Sequence, residues 1–215
     1  MAVDLVYETH SRSVDNERGI ATGWLQGELS AEGRRLARAL GERRRRDGIA
    51  CVLTSDLRRA VETAEIAFEG CGIEIRRDPR LRECDYGRLN GAPVGALEPR
   101  RRFVDRPYPD GESYRDCVER MRSFLDDVAR EFDGRRVLVI AHSAQRFALR
   151  HLLDGAPLED AVGAPFAWRE GWEYVVEGRG EAELPDPGRL PRRGASRPPR
   201  RRGRGSARRR RRSRS

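Results

Sequence analysis

Val137-Leu138-Val139-Ile140-Ala141-His142 is the stretch of sequence that decides the fold. A short apolar run rich in β-branched residues is typical of a strand buried on both faces, and the histidine follows where that strand ends. The chain opens in the same way, since the apolar run Val3–Tyr7 leads into Thr9-His10-Ser11-Arg12. Ligands of an open parallel sheet bind beyond the carboxyl ends of its strands. We therefore expect His10 and His142 to share one site.

Strand-like and helix-like segments alternate through the rest of the body. Further strands are expected at Ile49–Leu53, Ile73–Ile75 and Trp172–Val176. Helical spacing and capping residues, among them Ser30 and the stretch Thr54–Asp56, predict helices at about 31–46, 57–69, 112–132 and 144–153. The segments 11–29 and 81–107 are rich in turn residues and are expected to be irregular. This order favours an α/β fold, a three-layer sandwich whose mostly parallel sheet carries helices on both faces.

The charge of the chain is concentrated near its carboxyl terminus. The formal net charge is +9 over 215 residues, all 44 basic residues are arginine, and 15 of them lie in 179–215. We expect one α/β domain over 1–177 and a disordered, Arg-rich tail over 178–215, because the tail has no apolar periodicity with which to build a core. Weak binding of polyanions by the tail is an alternative, although it lacks the interleaved aromatic residues that stack on bases.

Cysteine usage and hydropathy indicate a cytoplasmic protein. The four cysteines form no C-x-x-C pair, which makes zinc or thioredoxin-like chemistry a weak interpretation and fits a reducing compartment. No apolar run approaches the roughly 18 residues of a membrane span, and no signal peptide precedes the first predicted strand. We therefore expect no membrane partner. The oligomeric state cannot be read from the sequence.

Four residues at the predicted strand ends offer the groups that phosphoryl transfer needs. His10 supplies a nucleophilic imidazole, while His142 and Arg59 supply donors for phosphate oxygens. Arg59 lies in the first turn of the helix after Ile49–Leu53, where free N–H groups and the helix dipole also suit an anion. Glu83, at the head of the irregular segment, can protonate a leaving group.

Five motifs, in order, resemble those of the histidine phosphatase superfamily, which has the phosphoglycerate-mutase-like fold. The likeness covers about residues 3–177, and the order of the motifs makes it specific where a single motif would not be. The matching stretches are Thr9-His10-Ser11-Arg12-Ser13 with Asn16 beyond; Ser55, Leu57, Arg59, Ala60, Thr63 and Ala64; Leu81–Gly87; Pro109–Ser113; and Val139–His142.

The resemblance implies a role for each matching residue. His10 is the nucleophile that becomes phosphorylated, Arg59 and His142 hold the phosphoryl oxygens, and Glu83 donates a proton to the leaving group and then activates water. Asn16 lines the phosphate loop, although a plain turn role accounts for it equally well. The family chemistry uses no metal and no cofactor, and its partner is a small phosphorylated metabolite. A lone histidine is more often structural, so the motif context carries these roles.

The first motif departs from the family pattern. Thr9 stands where the family has arginine, and Ser11 and Ser143 stand where it has glycine after each histidine. Loss of one preorganised contact to a transition state costs about 2.7–4 kcal/mol, judged from oxyanion-hole donors. Thr9, Ser11 and Arg12 remain candidate phosphate-binding residues, and Arg12 or Arg146 is positioned in sequence to replace the missing guanidinium.

Three functions fit these residues. The first is a phosphohydrolase that acts on a small phosphomonoester through a phosphohistidine on His10. The second is a member of the fold that lost or changed this activity through Thr9 and now binds a ligand or catalyses another reaction. The third is a polyanion-binding protein whose body is a scaffold. Mutase-type transfer is a variant of the first function, and it is disfavoured because the body has little room for the insertions of a dedicated mutase.

Overall fold

The computed structural model describes residues 2–178, which form five strands and six α-helices. The strands are β1 (Ala2–Thr9), β2 (Ile49–Thr54), β3 (Ile75–Arg77), β4 (Arg136–Ala141) and β5 (Trp172–Glu177). The helices are α1 (Val14–Glu17), α2 (Ala31–Arg44), α3 (Arg58–Phe68), α4 (Tyr114–Glu131), α5 (Ser143–Leu152) and α6 (Leu158–Gly163). The Arg-rich tail predicted over 178–215 lies outside the described residues, apart from Gly178, and stays a prediction.

The strands form one mostly parallel sheet in the order β3-β2-β4-β1-β5. Neighbours β2, β3, β4 and β1 run parallel, and β5 pairs antiparallel with β1 at the edge. The central pair β1 and β4 end together, because Thr9 lies opposite Ala141 in their register. His10 and His142 each follow one of these strands, so the sheet brings both histidines to the same edge.

Alternating side chains of the sheet build two cores, which makes the fold a three-layer sandwich. Leu5, Tyr7, Val137 and Val139 face one side, and the buried side chains of α4, α5 and α6 cover them. Val6, Val52, Leu138 and Ile140 face the other side, where α2 and α3 cover them with Leu40, Ala64 and Phe68. This arrangement confirms the predicted α/β class and the helices on both faces. None of the described helices is long and apolar enough to cross a membrane.

The start of α2 follows the prediction closely. The Ser30 hydroxyl accepts a hydrogen bond from Gly33 N at 3.1 Å, as an N-cap should. Gly33 allows the helix to approach the chain at Arg12, because a Cβ there would lie 1.9 Å from the Arg12 carbonyl oxygen. The first turn of α2 is therefore fixed against the segment that follows His10.

The start of α3 differs from the prediction. The helix has no side-chain N-cap at Leu57, and two backbone N–H groups at its start already have side-chain acceptors. Ser55 Oγ accepts from Leu57 N, and Gln26 Oε1, from a distant loop, accepts from Arg58 N at 3.2 Å. Arg59 does lie in the first turn. The group that α3 contributes for binding an anion is therefore the Arg59 guanidinium, and not the backbone N–H groups of the helix end.

Smaller differences concern short elements. The strand expected at Ile73–Ile75 is shifted to Ile75–Arg77, and the irregular segment 11–29 contains the one-turn helix α1. Helix α6 lay in no predicted element. Each of these elements has only three to six residues, which is too few for hydrophobic periodicity to define.

Candidate active site

His10 follows β1 and is held in one tautomer. Its backbone N–H donates to the Ala141 carbonyl at 2.8 Å, which ties it to the end of β4. Its ring Nδ1 lies 2.7 Å from the Ser11 carbonyl oxygen. A carbonyl only accepts, so Nδ1 carries the proton and Nε2 keeps its lone pair. The half-buried ring therefore presents an unprotonated Nε2 to the site.

Arg59 is the buried cation that connects the two histidines. Its Nε donates to His10 Nε2 at 3.3 Å, and its Nη2 lies 3.2 Å from His142 Nδ1. Nη1 and Nη2 also donate, each at 2.9 Å, to the carbonyl oxygens of Leu25 and Gly23. The guanidinium is thus fixed by four groups on three separate segments, which suits it to bind an anion at a defined position.

His142 presents an unused donor beside this guanidinium. An arginine can only donate, so Nδ1 of His142 accepts, and the neutral ring must carry its proton on Nε2. This Nε2 is buried and has no hydrogen-bond partner among the described residues. The Tyr7 hydroxyl fixes the backbone of this residue by donating a hydrogen bond to the His142 carbonyl. A buried donor without a partner marks a place where a ligand atom can bind.

Burial and the adjacent cation keep both rings neutral. Burial, followed by the charge of Arg59, lowers the pKa of His10 to about 3, and the hydrogen bond to Ser11 opposes this only in part. Burial, Arg59 and then His10 lower the pKa of His142 well below its usual value. The His10 ring is therefore neutral throughout the physiological pH range, as a histidine that attacks phosphorus must be.

These shifts predict a fold that loses stability as the pH falls. In the unfolded chain both histidines take up a proton near pH 6.5, whereas in the fold they resist protonation. The unfolded state therefore binds more protons below pH 6.5, and the free energy of unfolding falls by up to about 1.4 kcal/mol per pH unit for each ring. Urea unfolding midpoints measured at pH 7 and pH 5 should show this loss.

A variant separates this effect from the titration of carboxyl groups. His10→Asn should lose less stability than the wild type between pH 7 and pH 5, because one of the two resisting rings is gone. His151→Asn is the matched control, since the His151 ring on α5 contacts the Ala156 carbonyl rather than any residue of the site. Equal losses in the wild type and in His10→Asn would contradict the expectation.

Glu83 is a buried carboxyl group next to the second histidine. Its Oε1 accepts from the backbone N–H of Cys84 at 2.9 Å and of Ala144 at 3.0 Å. Its Oε2 accepts from the hydroxyl of Ser143 at 2.8 Å. Because Ser143 and Ala144 open α5 directly after His142, the start of this helix positions Glu83 and His142 together.

Glu112 and Arg120 stabilise the backbone of the segment that carries Glu83. Arg120 forms a two-pronged ion pair with Glu112 at 2.8 and 2.9 Å and donates to the Arg82 and Glu83 carbonyls. Glu112 also accepts from Asp85 N at 3.0 Å. Gly111 permits this contact, because a Cβ there would lie 2.3 Å from the Asp85 carbonyl. The Pro109–Ser113 motif therefore supports the loop of the carboxyl group.

One cluster behind Glu83 contains residue types that bind metals. The ligand atoms of Cys84, Glu112 and Cys117 all lie within 4.8 Å of one another. The guanidinium of Arg120 already pairs with Glu112 and lies 3.4 Å from Cys117 Sγ. Since a cation there would compete with this guanidinium, the cluster supports the loop rather than a metal ion.

The structure brings some of the predicted site residues together and leaves others apart. His10, Arg59 and His142 touch one another, Glu83 lies beside Ser143, and Ser11 N donates to Thr63 Oγ1 at 3.0 Å. Thr63 in turn donates to the Arg59 carbonyl, a bracing role that sequence reasoning missed although the residue stands in a quoted motif. Thr9 is buried at the end of β1.

The remaining candidates lie at the margin of the site. Asn16 is exposed, and its side-chain oxygen is used in the capping box of α1, where it accepts from Ser13 N. Arg12 is exposed. Arg146 packs its guanidinium over the Trp172 ring at 4.9 Å and faces Asp154 at 3.9 Å. Arg146 would have to leave Trp172 to replace the missing guanidinium, and replacement by Arg12 stays a prediction.

Comparisons with known proteins indicate the family to which the chain belongs. A sequence model of the histidine phosphatase superfamily, branch 1, matches residues 9–167. A 2,3-bisphosphoglycerate-dependent phosphoglycerate mutase of Methylorubrum extorquens is 34% identical over 197 residues, which cover 81% of this chain and 93% of the relative. A probable phosphoglycerate mutase of Yersinia enterocolitica is 32% identical over 157 residues, 69% of this chain and 73% of the relative.

Solved structures show the same fold. YhfR of Bacillus stearothermophilus superimposes with a TM-score of 0.70 at 26% identity, covering 79% of this chain and 88% of that one. A mycobacterial glucosyl-3-phosphoglycerate phosphatase gives a TM-score of 0.66 at 29% identity, with 75% and 84% covered. The chain belongs to the histidine phosphatase superfamily. Its relatives are phosphatases and mutases, which places it among phosphoryl-transfer enzymes.

Proposed function

We propose that the protein hydrolyses a small phosphomonoester through a phosphohistidine on His10. The observation that carries the proposal is the convergence of three groups. Nε2 of His10 is unprotonated, its lone pair faces the Arg59 guanidinium, whose Nε donates to it at 3.3 Å, and the buried N–H of His142 has no partner among residues 2–178. A phosphoryl group placed between them meets a nucleophile and two fixed donors, which stabilise charge on its oxygens during transfer.

Glu83 supplies the acid and base steps. In the first half of the reaction the His10 Nε2 lone pair forms the N–P bond, the bond to the leaving oxygen breaks, and Glu83 gives that oxygen a proton. In the second half a water oxygen attacks phosphorus, Glu83 takes the proton of the water, and the N–P electron pair returns to His10. The positions of Ser143 and Ala144, which hold Glu83 beside His142, support this role.

A substrate panel tests the proposal. We expect phosphate release from one or more members of a panel of phosphomonoesters that includes sugar phosphates, glycerol phosphates, phosphoglycerates and p-nitrophenyl phosphate. Brief incubation with a ³²P-labelled substrate should leave an acid-labile, alkali-stable label on the protein. Failure to detect either phosphate release or the label would overturn the proposal.

Mutase-type transfer is the second candidate function, and the names of the relatives favour it. The match covers 93% of the Methylorubrum mutase, so the body is not too short for a mutase, contrary to the expectation from the sequence. Incubation with 3-phosphoglycerate and 2,3-bisphosphoglycerate separates the two functions. A mutase interconverts the phosphoglycerates without net phosphate release, whereas a hydrolase releases phosphate.

Loss of activity through Thr9 remains the alternative that the first motif suggests. If the wild type releases no phosphate and Thr9→Arg does, the protein is a member of the fold whose chemistry has changed. The contacts of Arg59 with His10 and His142 support a catalytically active site instead. As the site of action we propose the cytoplasm, because all four cysteines are free thiols. The partner we propose is a small phosphorylated metabolite.

A further inference from the structure

The two oxygens of Glu83 have different surroundings. Oε1 accepts from two backbone amides, Cys84 N at 2.9 Å and Ala144 N at 3.0 Å. Oε2 accepts from the Ser143 hydroxyl at 2.8 Å, the one donor to this oxygen within residues 2–178. The residue as a whole is 8% exposed, so it has little contact with solvent.

These surroundings decide which oxygen can carry a proton. A carboxyl oxygen has two lone-pair positions, and the two amides at Oε1 occupy both. An amide N–H cannot accept a hydrogen bond, so a proton on Oε1 would face two donors. The proton of the acid form therefore resides on Oε2, the oxygen that Ser143 contacts.

Ser143 is suited to both states of this oxygen. A hydroxyl group donates to the carboxylate and can also accept from the protonated acid by rotation of its own hydrogen. Its position is fixed, because it is the first residue of α5 and directly follows the buried His142. A residue without a side chain at this position would leave Oε2 without its partner.

We propose that Ser143 is a positioning residue that fixes Oε2 of Glu83 as the proton-carrying oxygen and orients it in both halves of the reaction. The inference rests on the proposed phosphohistidine function. Oε2 gives its proton to the leaving oxygen as the O–P bond breaks, and later takes a proton from the attacking water. The Ser143 hydroxyl keeps its own hydrogen throughout, and no other reactant is needed.

Leaving-group dependence tests this role. An alkyl phosphate such as glycerol 2-phosphate needs a proton on its departing oxygen, whereas p-nitrophenolate departs as a stable anion. Ser143→Ala should lower kcat/KM for the alkyl substrate about 10- to 100-fold, part of the 10²- to 10⁴-fold that a general acid supplies. The ratio of aryl to alkyl kcat/KM should therefore rise by about 10-fold or more. Glu83→Gln should raise the same ratio further.

Additional variants keep the test decisive. Ser143→Thr retains the hydroxyl and should recover most of the alkyl activity, whereas Ser143→Gly should behave like Ser143→Ala. Ser123→Ala, which removes a hydroxyl on α4 that contacts Arg80, should leave the ratio unchanged. An equal loss for both substrates, or no loss, would overturn the role of Ser143 while the labelled phosphoenzyme upholds the proposed function. A wild type without phosphoenzyme or turnover would overturn both.

Discussion

His10→Ala is expected to lower phosphate release on the order of 10⁴- to 10⁶-fold, the range found when a covalent nucleophile is deleted from an enzyme. The reason is geometric as well as chemical. Nδ1 of His10 is committed to the Ser11 carbonyl, so Nε2 is the ring atom left to form the N–P bond. Within the described residues no other histidine can take its place, because His142 directs a protonated nitrogen toward the site.

The measurement is steady-state turnover together with labelling of the phosphoenzyme. His10→Ala should abolish the label as well as the turnover, since both depend on the same nitrogen. His151→Ala is the control, and it should keep both. Retention of a labelled protein in His10→Ala would show that another residue is the phosphoryl acceptor. Circular dichroism of the variant checks that the loss is not one of folding.

Arg59→Lys should lower kcat/KM about 10²- to 10³-fold, although the charge is conserved. The guanidinium contacts both histidines and two carbonyl oxygens at once, through three different nitrogens. A lysine ammonium is a single point charge and cannot reproduce this planar set of donors. The carbonyl groups of Gly23 and Leu25 would also lose partners, so the segment that carries them should become less ordered.

Arg58→Lys is the matched control for this substitution. Arg58 is the preceding residue of the same helix, but it is exposed and pairs with Glu28 at 3.2 Å. Exposed ion pairs contribute little, so this variant should keep its activity. Equal activities for Arg59→Lys and Arg58→Lys would show that Arg59 acts as a general positive charge rather than as a directed donor.

The sequence predicted the fold well wherever an element has a strong hydrophobic pattern. A buried run such as Val137–Ile140 is typical of a strand that is covered on both faces. The register of β1 against β4 then brings His10 and His142 together. Helix α4 was equally clear, because its apolar residues repeat along one face. Elements held by contacts from distant residues were not predictable in this way, and the start of α3, where Gln26 Oε1 accepts from Arg58 N, is the example.

The sequence indicates candidate residues for the site but not the hydrogen bonds between them. The order of the motifs indicates four candidate residues, which are His10, Arg59, Glu83 and His142. The tautomer of His10 depends on a carbonyl oxygen, and the proton-carrying oxygen of Glu83 depends on two amides. Almost every residue type has the same main-chain groups, so a sequence pattern does not indicate which of them will make these contacts. Three-dimensional contacts are needed to find them.

The hydrogen bonds of Arg59 to Gly23 and Leu25 also affect how the enzyme can diverge. Both acceptors are main-chain carbonyls, so a change of side chain in the segment 23–25 leaves them in place. Leu25 itself is half exposed at the surface. Mutation can therefore alter exposed side chains of this segment while the hydrogen bonds of Arg59 stay in place. A library randomised at Leu25 should accordingly yield many folded proteins.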